Sequence, residues 1–136
     1  MEEQKILKEQ LRIVDQSLFY LVLIILSVLL SFQSVLIQRE QLEETLAGRP
    51  AACRNVYPIR LSASVLVVSA LGFFFCLALR TCREAAQGND SAAQKSAGIN
   101  VWASLFVWAA ALIRLYDLNF MEEVRRCRAA ENVQPE

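Results

Sequence analysis

The stretch SLFYLVLIILSVLLSFQSVLI, Ser17–Ile37, decides how the chain is read. Its 21 residues carry no charge. As a helix rising 1.5 Å per residue it is about 31 Å long, and the hydrocarbon core of a bilayer is about 30 Å thick. The run exceeds the roughly 7–15 residues of a cleavable signal's apolar region. Its end, Ser34-Val35-Leu36-Ile37-Gln38-Arg39, lacks a small-x-small exit, so it is expected to remain as a span. Two further apolar runs, Leu61–Leu79 and Ile99–Ile113, follow between charged segments.

The expected fold is therefore all-α: an integral membrane three-helix bundle forming one domain over 1–136. Spans are expected near 17–37, 60–80 and 98–118, with loops at 48–58 and 85–91 and a flexible tail at 130–136. The composition agrees. Apolar residues make up 55% of the 136, above the roughly 45–50% of soluble domains. Little chain is left over for a second, soluble core.

Working outward from the first span, no Gly or Pro separates it from residues 2–16. Ile6, Leu7, Leu11, Val14 and Leu18 recur there at spacings of three and four, which predicts an amphipathic helix continuous with the span. Downstream, Gln38–Ala47 has helix-forming residues, an Arg39–Glu43 pair at i,i+4 and an apolar edge of Leu42 and Leu46. Gly48-Arg49-Pro50 then reads as a stop, with Gly at C′ and Pro just beyond. A helix from about residue 3 to 47 would overshoot the bilayer on both sides. Gln87-Gly88-Asn89-Asp90 is a turn signal. Ser91-Ala92-Ala93-Gln94 reads as a capping box opening the third helix, which makes helices two and three an antiparallel hairpin. The third helix is expected to persist to about Ala129.

With 14 basic and 14 acidic residues the net charge is zero. Nucleic acid is excluded as a partner, because binding it needs a basic stripe. There is no histidine, so the commonest general base is missing. Cys53, Cys76, Cys82 and Cys127 form no CxxC pair. They read as reduced thiols, without a disulfide framework or a zinc site. No enzyme activity, metal or cofactor is expected.

The N-terminus and the second loop share one side, called A; the first loop and the C-terminus share side B. Side A carries six cations: Lys5, Lys8, Arg12, Arg80, Arg83 and Lys95. Side B carries eight: Arg39, Arg49, Arg54, Arg60, Arg114, Arg125, Arg126 and Arg128. The positive-inside rule leans towards a cytoplasmic B side and an outside N-terminus, in the plasma membrane. Tyr20 and Trp102 fall near the A interface, and Tyr57 and Tyr116 near B.

The informative polar residues are those that hydrocarbon rejects. Arg114 and Asp117 lie one turn apart near the B end of span three. They read as a local pair with Arg114 snorkelling outward, or as an intramembrane pair lining a path. Asp117 can instead meet Arg60. On side A, Asp15 reads as an exposed interfacial charge, or as a partner of Arg80 or Arg83 that would join helix one to helix two. Small residues mark candidate packing faces: Ser27, Ser31 and Ser34 on the first span, Ser69 and Gly72 beside Ser62 and Cys76 on the second, and Asn100 and Ala103 on the third. A water-lined serine stripe is the alternative. Phe73-Phe74-Phe75 must point in three directions around its helix.

The expected role is a structural or accessory membrane protein, set in the lipid bilayer and assembling with itself or with another membrane protein. The alternative is an oligomeric pore. The size, three spans and charged tail look like those of the phage holins, although no holin motif can be quoted. A small transporter is a further alternative, disfavoured because no acid lies at mid-depth.

Overall fold

The computed structural model describes residues 1–50 and 54–133. Cys53, the middle of the expected first loop and the last residues of the expected tail lie outside the described residues. Three helices account for nearly all of the rest: α1 Glu2–Leu46, α2 Tyr57–Ala86 and α3 Ser91–Val133. There is no strand among the described residues. Each helix is long and apolar enough to cross a membrane. With 45 and 43 residues, α1 and α3 are about 67 and 64 Å long; α2, with 30 residues, is about 45 Å.

The helix ends follow from local chemistry. After Ala47, Gly48 takes the left-handed conformation at φ 70°. Its N–H donates to the Thr45 carbonyl at 3.1 Å, and the Arg49 N–H donates to Glu44 at 3.0 Å. This is a Schellman stop, which glycine enters without a Cβ penalty. The start of α3 differs from the expected capping box by one residue. Asp90, not Ser91, is the cap: its Oδ1 accepts from the Ala92 and Ala93 N–H groups at 3.0 and 3.4 Å. Gln94 reaches back to the Gly88 carbonyl at 2.8 Å. An aspartate carboxylate carries charge at the positive helix end, which gives it the advantage over a serine hydroxyl one residue later. The third helix also runs past the expected Ala129 to Val133.

α2 is the central helix. It packs on α1 and on α3, whereas no Cα of α1 comes within 8 Å of a Cα of α3. The three helices form an open layer with α2 in the middle. The Phe73–Phe75 triplet shows how one helix serves two neighbours. Phe73 stacks on Tyr20 of α1 with ring centroids 4.1 Å apart. Phe75 stacks on Trp108 of α3 at 5.5 Å. Phe74, between them, faces the groove that α1 and α3 leave open.

The contact edges repeat every three and four residues. On α3, Ala97, Val101, Ser104, Trp108, Ala111, Leu115, Leu118 and Glu122 turn inward. On α1, Ile13, Ser17, Tyr20, Ile24, Ser27 and Ser34 do so. A 3–4 alternation keeps one narrow edge against a partner, as in left-handed helix pairs. The apolar stripe Ile6–Leu18 is not on this edge. Its five residues are all exposed, as are Leu42 and Leu46.

Fully buried residues are few and small: Ala63, Ala70, Ala78, Ala97 and Ala111, with Ser27, Ser34 and Glu122. No Leu, Ile, Val or Phe among the described residues is fully buried. Burying apolar area stabilises by about 25 cal/mol per Å2, and alanine offers little of it. The large side chains Val22, Ile25, Leu29 and Phe32 face outward instead. Close helix approach through small residues, with large apolar residues outside, is how helices pack when their surroundings are hydrocarbon.

Gly72 is needed for this approach. A Cβ at that position would meet Trp108 Nε1 at 3.2 Å. The Trp108 indole N–H is buried without a hydrogen-bond partner among the described residues, so the ring acts as an apolar plate against α2. Substituting Gly72→Leu should lower stability in detergent by about 1–3 kcal/mol, the usual range for overpacking. It should also shift Trp108 fluorescence. An unchanged melting temperature and emission spectrum would show that this contact is dispensable.

Candidate functional site

The polar groups gather at the two ends of the layer and in the groove between α1 and α3. At the A end, Arg80 of α2 forms an ion pair with Glu9 of α1 and a second, at 3.3 Å, with Glu84. Asp15 is exposed and forms no ion pair among the described residues, so the alternative link to Arg80 is not made. Arg80 reaches outward, away from the apolar run, to an acid two turns before Asp15. An arginine leaving an apolar surface gains by extending towards water.

The B end is organised by the short segment before α2. The Arg54 carbonyl accepts from Gln41 Nε2 at 3.1 Å, and its guanidinium lies 3.5 Å from Glu40. These contacts hold the segment to α1. On the other flank, Asn55 Oδ1 accepts from Arg125 of α3 at 3.3 Å and from the Tyr57 N–H at 3.1 Å. Tyr57 donates its hydroxyl to Asn119 Oδ1 at 2.8 Å. One side-chain oxygen thus serves both the start of α2 and the arm of α3.

Glu122 anchors that arm. It occupies the inward position after Leu115 and Leu118, and its side chain is 9% exposed. Arg125 binds it through two nitrogens, at 2.9 and 3.1 Å, and Arg126 lies at 3.4 Å. The Arg125 hydrogen bonds hold the Glu122 carboxyl below the ordinary carboxylate range, against the opposing effect of desolvation, with the charges of Arg125 and Arg126 adding to the lowering. A forked guanidinium on a carboxylate is among the stronger charged hydrogen bonds. The signal for Glu122's inward position is the three-and-four repeat of α3, which continues past the end of the apolar run.

Arg60, Arg114 and Asp117 come together along one groove, with Ser31, Ser34 and Ser64. They share this lining without forming ion pairs among the described residues. Arg60 begins α2 and Arg114 and Asp117 lie on α3, so the groove mouth draws its charges from two helices.

The small-residue stripes sort differently. Ser27 and Ser34 are 1% and 2% exposed at the α1–α2 contact. Their hydroxyls donate to Ile24 and Ser31 carbonyls of their own helix, each at 2.7 Å. Their contribution across the contact is small size. Ser31 and Ala103 line the groove. Asn100 and Ser69 are exposed. Ser62, Val65, Ser69 and Cys76 form the outward back of α2, on the opposite face from Phe74.

The lowered Glu122 ionisation links the B end to pH. A carboxyl depressed in the folded state contributes stability above its ordinary value of about 4.3, and that contribution disappears as pH falls through the lowered value. Undocking of the α3 arm, followed by hydrogen exchange of 119–133, should therefore begin only below about pH 4.3. Glu122→Gln should be undocked at neutral pH and lose the dependence. Equal protection in both proteins at pH 7 would contradict this anchoring. No family model, curated protein or solved structure matches the chain.

Proposed function

We propose that this chain is a multi-pass membrane protein whose role is assembly, and that a second copy packs on the back of α2. The observation that carries the reading is the uncovered stripe Ser62, Val65, Ser69 and Cys76 on the central helix. α1 and α3 flank it without closing over it. Small residues invite the close approach of another helix, and in hydrocarbon that approach is driven by packing. The long arms of α1 and α3 add polar contact area beyond the apolar zone. The eight cations towards end B, against six towards end A, favour a cytoplasmic B end in the plasma membrane.

The pore reading finds less support in the geometry. The charged lining of the groove is confined to its B half. The A half is lined by Leu21, Ile24, Leu71 and Phe74, with Ala103, Ser104 and Val107. Such a surface does not hold a continuous file of water. The transporter reading lacks an acid at the middle of the apolar zone, since Asp117 lies at the groove's B mouth.

Cys76 provides a native probe. With Cys53, Cys82 and Cys127 replaced by Ser, mild oxidation in membranes should join two copies through Cys76. Ser69→Leu, which fills the stripe, should cut the yield several-fold. A chain that stays monomeric and uncross-linked at every protein-to-lipid ratio would refute the proposal. Discrete, concentration-dependent conductance in planar bilayers would favour the pore instead.

A further inference from the structure

The groove between α1 and α3 is continuous. Its outermost section, of about 400 Å3, is shared by Arg54, Asn55 and Arg128 at end B. It joins a section of about 420 Å3 through Arg60, Leu118 and Met121. That section passes through Ser31, Ser64 and Arg114 into one of about 370 Å3. Leu71 and Val107 lead on to the last, of about 380 Å3, floored by Phe74. Polarity falls steadily along this path, from arginines to serines to Leu, Val and Phe. The gradient is that of an amphiphile.

The charges at the mouth specify its head. Arg60 and Arg114 supply two cations and Asp117 one anion, and none is neutralised by an ion pair among the described residues. The set lacks one negative charge. The hydroxyls of Ser31 and Ser64, on the same section, make no hydrogen bond among the described residues, which leaves two donors for an oxyanion. Below the mouth, the eleven helical steps from Arg60 to Leu71 span about 16 Å, close to one leaflet's share, about 15 Å, of the hydrocarbon core.

We infer that this groove binds an anionic phospholipid of the B-side leaflet, its phosphate between Arg60 and Arg114 and one acyl chain running along Val67, Leu71 and Val107. The groove opens sideways, because the Cα atoms of α1 and α3 stay more than 8 Å apart, so a bilayer lipid enters without passing through water. The monoanionic head completes a balanced set of two cations and two anions. The inference rests on the membrane reading above but not on the pairing of two copies.

The test uses the full chain in nanodiscs made from equal parts phosphatidylglycerol and phosphatidylcholine, released from the discs and examined by native mass spectrometry. The wild type should retain phosphatidylglycerol preferentially. Arg60→Gln with Arg114→Gln should remove the preference, at roughly fivefold per arginine, and Arg60→Lys with Arg114→Lys should keep most of it. Ala103→Trp, which fills the last, charge-free section, should reduce retention of both lipids. Retention without headgroup preference, or a preference untouched by the double glutamine variant, would overturn the inference. So would an efficient cross-link between two copies through Val107→Cys in an otherwise cysteine-free chain, because a helix would then occupy the groove. Flotation of wild type and variants with liposomes reads membrane association separately. Loss of flotation in the wild type would mark failure of the membrane reading, not of the lipid site alone.

Discussion

Ala63, Ala70 and Ala78 on α2, Ala97 and Ala111 on α3, and Ser27 and Ser34 on α1 let the backbones of α1 and α3 close on that of α2. The rest of the structure depends on that closeness. Side chains this small bury little apolar area, so they cannot hold a fold together in water by the hydrophobic effect. They permit dense van der Waals contact between helices whose large residues face outward. In hydrocarbon, where leucine gains nothing by turning inward, this arrangement is stable. The same residues would make a poor core for a soluble domain.

A central helix with a neighbour on each flank has two open faces, and they differ. One carries Phe74, Leu71 and Val67 and is walled by α1 and α3 into a groove. The other carries Ser62, Ser69 and Cys76 and is a shallow strip of small side chains. A groove with walls suits a flexible chain; a strip of small residues suits the straight ridge of another helix. Two kinds of contact are therefore available to one small molecule without competing for the same surface.

The polar ends fix the layer's register. At end A one ion pair, Arg80 with Glu9, joins α1 to α2. It is exposed, and solvent screening leaves such pairs a small contribution. End B is more heavily built. Asn55 joins the start of α2 to Arg125, Tyr57 joins α2 to Asn119, and Glu122 is enclosed beside two arginines. Removing both arginines would leave the enclosed Glu122 carboxylate without its donors, which costs more than the pairs contribute when intact.

The three long helices were legible in the chain because apolar runs of bilayer length leave few alternatives. The Gly48 stop and the turn before α3 were legible from local chemistry alone. So was the divergence of Phe73, Phe74 and Phe75, since 100° per residue requires it. What the sequence could not assign was the partner of each face. Ser62, Ser69 and Cys76 share a helical edge in the sequence, but only the positions of α1 and α3 made that edge the open back of α2. Likewise Arg80 meets Glu9 and not Asp15, and Arg60, Arg114 and Asp117 share a groove without pairing. Helical periodicity determines which residues lie together on one helix. The rotation and axial offset between helices, set by packing along their whole length, determine what those residues meet.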